Sequence, residues 1–243
     1  MNYFSNLKKN ERELFEKYIT PTKISAFLLI DKFYEKQYPT RDFEYSLDED
    51  ALNIEDLILI FLHENIFRSV LLYKTFINGI LTKNPLQTSL GTRAQLETCG
   101  AVTYLHKKYN QFLKTVISED NMRDELESLL LGVRNKSGLP SNGDYPDPKG
   151  VMKLIDSGDY FHKNILKRDG APIRKIYEHL SEICHPNAYG YTLHSRDSVL
   201  DFKDPEGEFH ETLYGINAFL VSMTVYIEAY EDLYSLISKN GCF

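Results

Sequence analysis

Thirty residues, Ile54 to Lys83, run without a proline between Asn53 and Pro85. No other feature limits the fold as much. Asn53 is a good helix cap, Glu55 and Asp56 favour the positive end of the helix dipole, and Pro85 stops the run. A helix of this length spans roughly 45 Å. Its apolar side must pack on other elements, since tertiary packing supplies most of a helix's stability.

Those other elements read as helices too. Lys8 to Ile19 sets Leu14, Phe15 and Tyr18 among charges, an amphipathic pattern. Thr20-Pro21 supplies a cap and a first-turn proline for a helix that reaches Tyr38 and closes at Pro39. Further helices are expected from Gly91 to Tyr109, from Ser118 to Arg134, from Val151 to Ile155 and from Ala171 to Cys184. The last, Glu211 to Lys239, is long and largely apolar. Arg41 to Asp50 reads as an acidic loop. Asn135 to Gly150 is dense in Gly, Pro, Asn, Asp and Ser, so it reads as irregular. Tyr189 to Phe202 has the pattern of a small hairpin turning at Arg196-Asp197. The expected fold is all-α, a multi-helix bundle with two long helices and at most one short β-hairpin. It forms a single helical domain over 1–243, within which residues 1–84 could make an N-terminal helical subdomain.

Charge and cysteine content narrow the function classes. At a net charge of −7, the chain does not match a protein that coats nucleic acid through phosphate contacts. RNA as a partner therefore draws no support from net charge, although a local basic cleft is compatible with it. Cys99, Cys184 and Cys242 have neither the pairing of a disulfide framework nor the spacing of a zinc site. A reducing cytoplasm is the expected location. Lys8 and Lys9 precede any apolar stretch, unlike a secretory leader. The uncharged run from Thr212 to Ile227 is 16 residues, short of the ~20 that cross a bilayer. No nucleotide-binding glycine loop, His-Glu-x-x-His or Gly-x-Ser-x-Gly occurs. No cofactor and no metal are expected, and no membrane.

Three groups of polar residues interrupt apolar helix faces. Arg93 and Glu97, four apart, share a helix side with Leu90, Ala94, Ala101 and Tyr104. From Cys99 to Leu105 the same helix has no charge, which marks it as central. Arg174, Tyr177, Ser181 and His185 are spaced three, four and four, one stripe beside apolar Ile173, Ile176, Leu180 and Ile183. The stripe ends at a helix C-terminus, where the dipole favours imidazolium. Arg174 with His179 forms an Arg-x4-His spacing. The composite expectation is that Arg93 or Glu97 meets Ser181 or His185 across neighbouring helices.

The Arg-x4-His spacing resembles the motif of HEPN-class proteins, all-helical bacterial toxins and defence ribonucleases. In those enzymes the residue after the arginine is usually Asn, Asp or His, and here it is Lys175. The element Tyr177-x-x-Leu180-Ser181-x-x-x-His185-Pro186, taken with Arg93 and Glu97, is also similar to helical families encoded near abortive-infection genes. The likeness covers about residues 85 to 190. It implies metal-independent RNA cleavage, with His185 or His179 as acid/base and Arg174 stabilising the phosphorane. The expectations therefore stand in this order. First is a helical interaction module of a bacterial defence or toxin system without its own catalysis, as a homodimer or bound to a protein partner. Second is a HEPN-like ribonuclease. Third is a small-ligand pocket lined by Arg93, Glu97, Tyr104, Tyr177 and His185.

Overall fold

A computed structural model describes residues 3–37, 52–137, 145–170, 172–185, 195–196, 199–200 and 205–240. The acidic stretch 41–50, the tip of the expected 135–150 loop and most of the 189–202 segment lie outside them. The elements are α1 (Lys9–Glu16), α2 (Pro21–Gln37), α3 (Ile54–Leu81), α4 (Pro85–Leu113), α5 (Glu119–Leu130), α6 (Val151–Tyr160), α7 (Pro172–Cys184) and α8 (Pro205–Asn240). The chain is an all-α bundle. Two-residue strands, β1 (Ser195–Arg196) and β2 (Val199–Leu200), pair antiparallel between α7 and α8. Their register pairs Arg196 with Val199, so Arg196 is a strand residue and not the turn residue expected of it.

To the two long helices expected, the structure adds a third. α4 begins at Pro85, six residues before the expected Gly91, because Asn84 accepts a hydrogen bond from the Gln87 amide at 3.0 Å. α3 stops at Leu81, before the expected Lys83, because the chain turns at Lys83 with a φ of 52°. Pro85 therefore only opens α4, having no N–H to leave unpaired. α5 keeps its Ser118 cap, at 3.3 Å from the Asn121 amide, but stops at Leu130 rather than Arg134. There Val133 N–H donates to the Pro146 carbonyl and Ser128 Oγ to the Asp147 carbonyl, which ties the returning chain to the end of α5. α6 runs to Tyr160 and continues as one π-helical turn, Phe161–Ile165.

α4 is the axis of the bundle and packs against α3, α5, α6, α7 and α8. Its uncharged middle is buried, with Cys99, Val102 and Leu105 fully covered. Close approach to α6 depends on Gly100, where a Cβ would lie 2.7 Å from the Leu154 carbonyl. One apolar cluster extends from Phe4 and Phe15 through Phe27, Tyr73 and Phe76 to Phe219 and Ile237. Phe76 and Phe219 stack with centroids 4.0 Å apart, which fastens α3 to α8. α7 is seated by α6. The Asp159 carboxylate accepts from the Ile173 and Arg174 amides at 2.8 and 3.1 Å, capping the new helix. Burial pushes this carboxyl above its ordinary range, and the two amide bonds oppose the shift.

Candidate functional site

The packing of α7 on α4 brings Arg93 and Glu97 together with Tyr177. Arg93 Nη2 donates to the Tyr177 hydroxyl at 3.2 Å, and that hydroxyl donates to Glu97 Oε1 at 3.1 Å. Arg93 Nε is 3.7 Å from the same carboxylate oxygen. The guanidinium carbon lies 5.2 Å from the Tyr177 ring centre, over its face. Burial works against the Arg93 charge. The hydrogen bond to Tyr177 and the Glu97 carboxylate outweigh it, so arginine stays protonated. Beside them the half-buried Cys184 thiol is pushed up by burial, an effect that Arg93 opposes. A thiol in this state is a weak nucleophile.

The other residues of the expected site go elsewhere. Ser181 Oγ donates to the Tyr177 carbonyl of its own helix at 2.7 Å. His185 is exposed just past the end of α7 and makes no side-chain hydrogen bond among the described residues. Neither meets Arg93 or Glu97. The junction runs through Tyr177 instead, whose hydroxyl bonds both residues of α4, while Ser181 bonds its own helix and His185 is exposed. Arg174 is exposed and held by Asp156 of α6 at 2.8 Å and by Glu178 at 3.0 Å. His179 turns to α8, with Nε2 3.7 Å from Glu211 and its ring 4.2 Å from that of Tyr214. The Arg-x4-His pair therefore addresses two different helices. Tyr104 leaves the group as well. Its hydroxyl donates to Glu125 of α5 at 2.8 Å, two helical turns beyond Glu97.

Glu97 has a second environment. It lines a groove of about 750 Å³ bounded by α3, α4, α5 and α6. The groove's floor carries Asn65 and Thr98, and Arg68 Nε donates to Thr98 Oγ1 at 3.0 Å. Its lip is apolar and open to solvent, with Phe67 41% and Leu71 63% exposed. The sequence reading missed Arg68, Thr98 and this lip, although Glu64, Phe67, Arg68 and Leu71 follow the three-and-four spacing of one helix stripe. Among the described residues no three His, Cys, Asp or Glu side chains are grouped to hold a metal ion. No helix among them is long and apolar enough to cross a membrane.

The Tyr177 bridge makes a direct prediction. Tyr177→Phe keeps the ring under Arg93 but removes both hydroxyl bonds to charged partners. We expect a loss of about 2 kcal/mol, read as a lower urea midpoint with unchanged slope. Ser181→Ala, which deletes only a bond within its own helix, should stay within about 0.5 kcal/mol. Equal effects from the two substitutions would show that the bridge contributes nothing.

No protein-family model matches the chain, no curated protein matches it, and no solved structure matches it.

Proposed function

We propose that the chain is a helical interaction module without catalysis of its own, which receives an amphipathic helix of a partner protein in the α3–α6 groove. The observation that carries this reading is the groove itself: an open cleft of about 750 Å³ with Phe67 and Leu71 presented to solvent at its edge. In helix-in-groove recognition an amphipathic helix lays its apolar face into an apolar groove. Glu64 lies on the same wall, exposed and without an ion pair among the described residues. The fitting partner helix thus has an apolar stripe flanked by a lysine or arginine placed to meet Glu64. In the Arg93 cluster the Tyr177 hydroxyl is taken up by Arg93 and Glu97, and the buried Arg93 Nε, 3.7 Å from Glu97, is left without a hydrogen bond; among the described residues no nucleophile stands free there. Arg174 is likewise occupied by two carboxylates.

A photo-crosslinking phenylalanine analogue at position 67, expressed in the native cell, tests this. We expect one discrete adduct, lost when Leu71→Asp is added and absent when the analogue is placed at Leu29, which is 62% exposed on α2. Leu71→Asp should leave stability within about 0.5 kcal/mol, since the side chain is already in water. Labelling at position 67 no more specific than at position 29 would overturn the partner assignment. RNA degradation by the purified protein, abolished by His185→Ala, would overturn the non-catalytic half.

A further inference from the structure

The end of α4 and the facing side of α6 form a second hollow, about 220 Å³, lined by Tyr104, Lys107, Lys108, Gln111 and Lys153 with Asp156 and Ser157. We propose that this hollow binds a diphosphate group. It is separate from the α3–α6 groove and does not depend on the partner reading. The charge around it is unbalanced in a protein that is acidic overall. Glu125 lies within ion-pair reach of both Lys108, at 2.9 Å, and Lys149, at 2.5 Å. Asp156 is taken up by Arg174. Lys107 and Lys153 have no carboxylate partner among the described residues and rest instead on aromatic faces. Lys107 Nζ is 4.8 Å from the Tyr160 ring centre and Lys153 Nζ is 5.2 Å from that of Tyr104.

Lys108 Nζ also lies within 5.6 Å of the Tyr104 ring centre, so this one ring gathers ammonium groups from both helices. Holding like charges together costs free energy unless an anion joins them. Cationic donors outnumber the acceptors in the hollow, where Asp156 is the only carboxylate of the lining and gives one oxygen to Arg174. The hollow supplies three ammonium groups and the Gln111 amide, while the Ser157 hydroxyl donates to the Lys153 carbonyl at 3.0 Å. Lysine at a phosphate acts as a point charge. Two unmatched lysines and a shared third suit a ligand carrying two to three negative charges on adjacent oxygens. The Tyr160 ring, 44% exposed under Lys107, offers a stacking face to a group attached to the diphosphate.

Isothermal titration of the full chain with inorganic pyrophosphate, and separately with ADP, tests the site. We expect saturable binding that weakens as salt rises. Preference for ADP would identify the diphosphate as part of a nucleotide, and equal or better binding of pyrophosphate would identify the free anion. Lys107→Gln with Lys153→Gln should weaken binding about 100-fold, roughly 10-fold per lost charge-assisted contact. The Lys107→Arg, Lys153→Arg double variant should restore most of it. Lys32→Gln with Lys36→Gln, the same change in net charge on α2, should have no effect. Absence of saturable binding to the wild type, or equal weakening by both glutamine pairs, would overturn the proposal.

Discussion

Gly100→Val is expected to destabilise the protein by about 4 kcal/mol or more, the largest effect of any single substitution proposed for it. A Cβ at this position would sit 2.7 Å from both the carbonyl carbon and the carbonyl oxygen of Leu154, and 3.1 Å from its Cβ. The obstacle is largely backbone, so no rotamer change relieves it. α4 and α6 would have to separate, and α7 would move with them because Asp159 of α6 caps its first turn. Valine adds a stiff branched side chain to a helix interior as well. For a chain of this size the loss corresponds to a drop of about 10 °C in melting temperature. Gly150→Ala is the matched control. Nothing lies within 4 Å of a Cβ there, and the change should cost less than about 1 kcal/mol, the difference between glycine and alanine at a helix cap. A Gly100→Val protein that melts with wild type would mean that α4 and α6 are not in contact at this point.

The second large effect is Glu125→Gln. Its carboxylate is the hub on which α4, α5 and the segment before α6 meet, through Tyr104, Lys108 and Lys149. Burial opposes its ionisation. The bonds from Lys149, Lys108 and Tyr104 outweigh burial and hold the carboxyl at about 2. A folded-state value below the ordinary 4.5 means that this stabilisation is complete above the unfolded-state value and is lost as pH falls toward 2. Glutamine leaves two ammonium groups without their counter-charge. With side chains 15 to 19% exposed, the cost lies between that of a surface pair and a buried one, about 2 kcal/mol near neutral pH. Denaturant titrations at falling pH should show the gap between wild type and variant closing below about pH 4.5. A gap that stays constant through that range would remove Glu125 from its place at the hub.

Much of the helical layout was legible because caps and prolines act locally. Asn53, Thr20-Pro21 and Ser118 each mark a start through the few bonds of one turn. The Arg93–Glu97 pair was legible for the same reason, being four apart on a face otherwise apolar. Tyr104 was misplaced by the same wheel. Seven residues from Glu97, it shares a face but lies two turns further along, roughly 10 Å, where it meets Glu125 of α5 and Lys153 of α6. The HEPN-like spacing of Arg174 and His179 places the two residues on one helix, yet Asp156 of α6 and Glu211 of α8 draw them apart. No local spacing encodes which distant carboxylate an exposed side chain meets.

The amino-acid sequence by itself determined an all-helical chain, its punctuation, and a buried central helix bearing an ion pair. Those properties follow from backbone hydrogen bonding and the 3.6-residue repeat, which a dozen neighbouring residues settle among themselves. Only the tertiary structure decided that Tyr177 links Arg93 to Glu97, that lysines from α4 and α6 crowd around Tyr104, and that an apolar-lipped groove opens beside Glu97. Each of these depends on how closely two helices distant in the chain approach. That distance is set where small residues such as Gly100 let backbones touch, through packing that no short window of sequence contains.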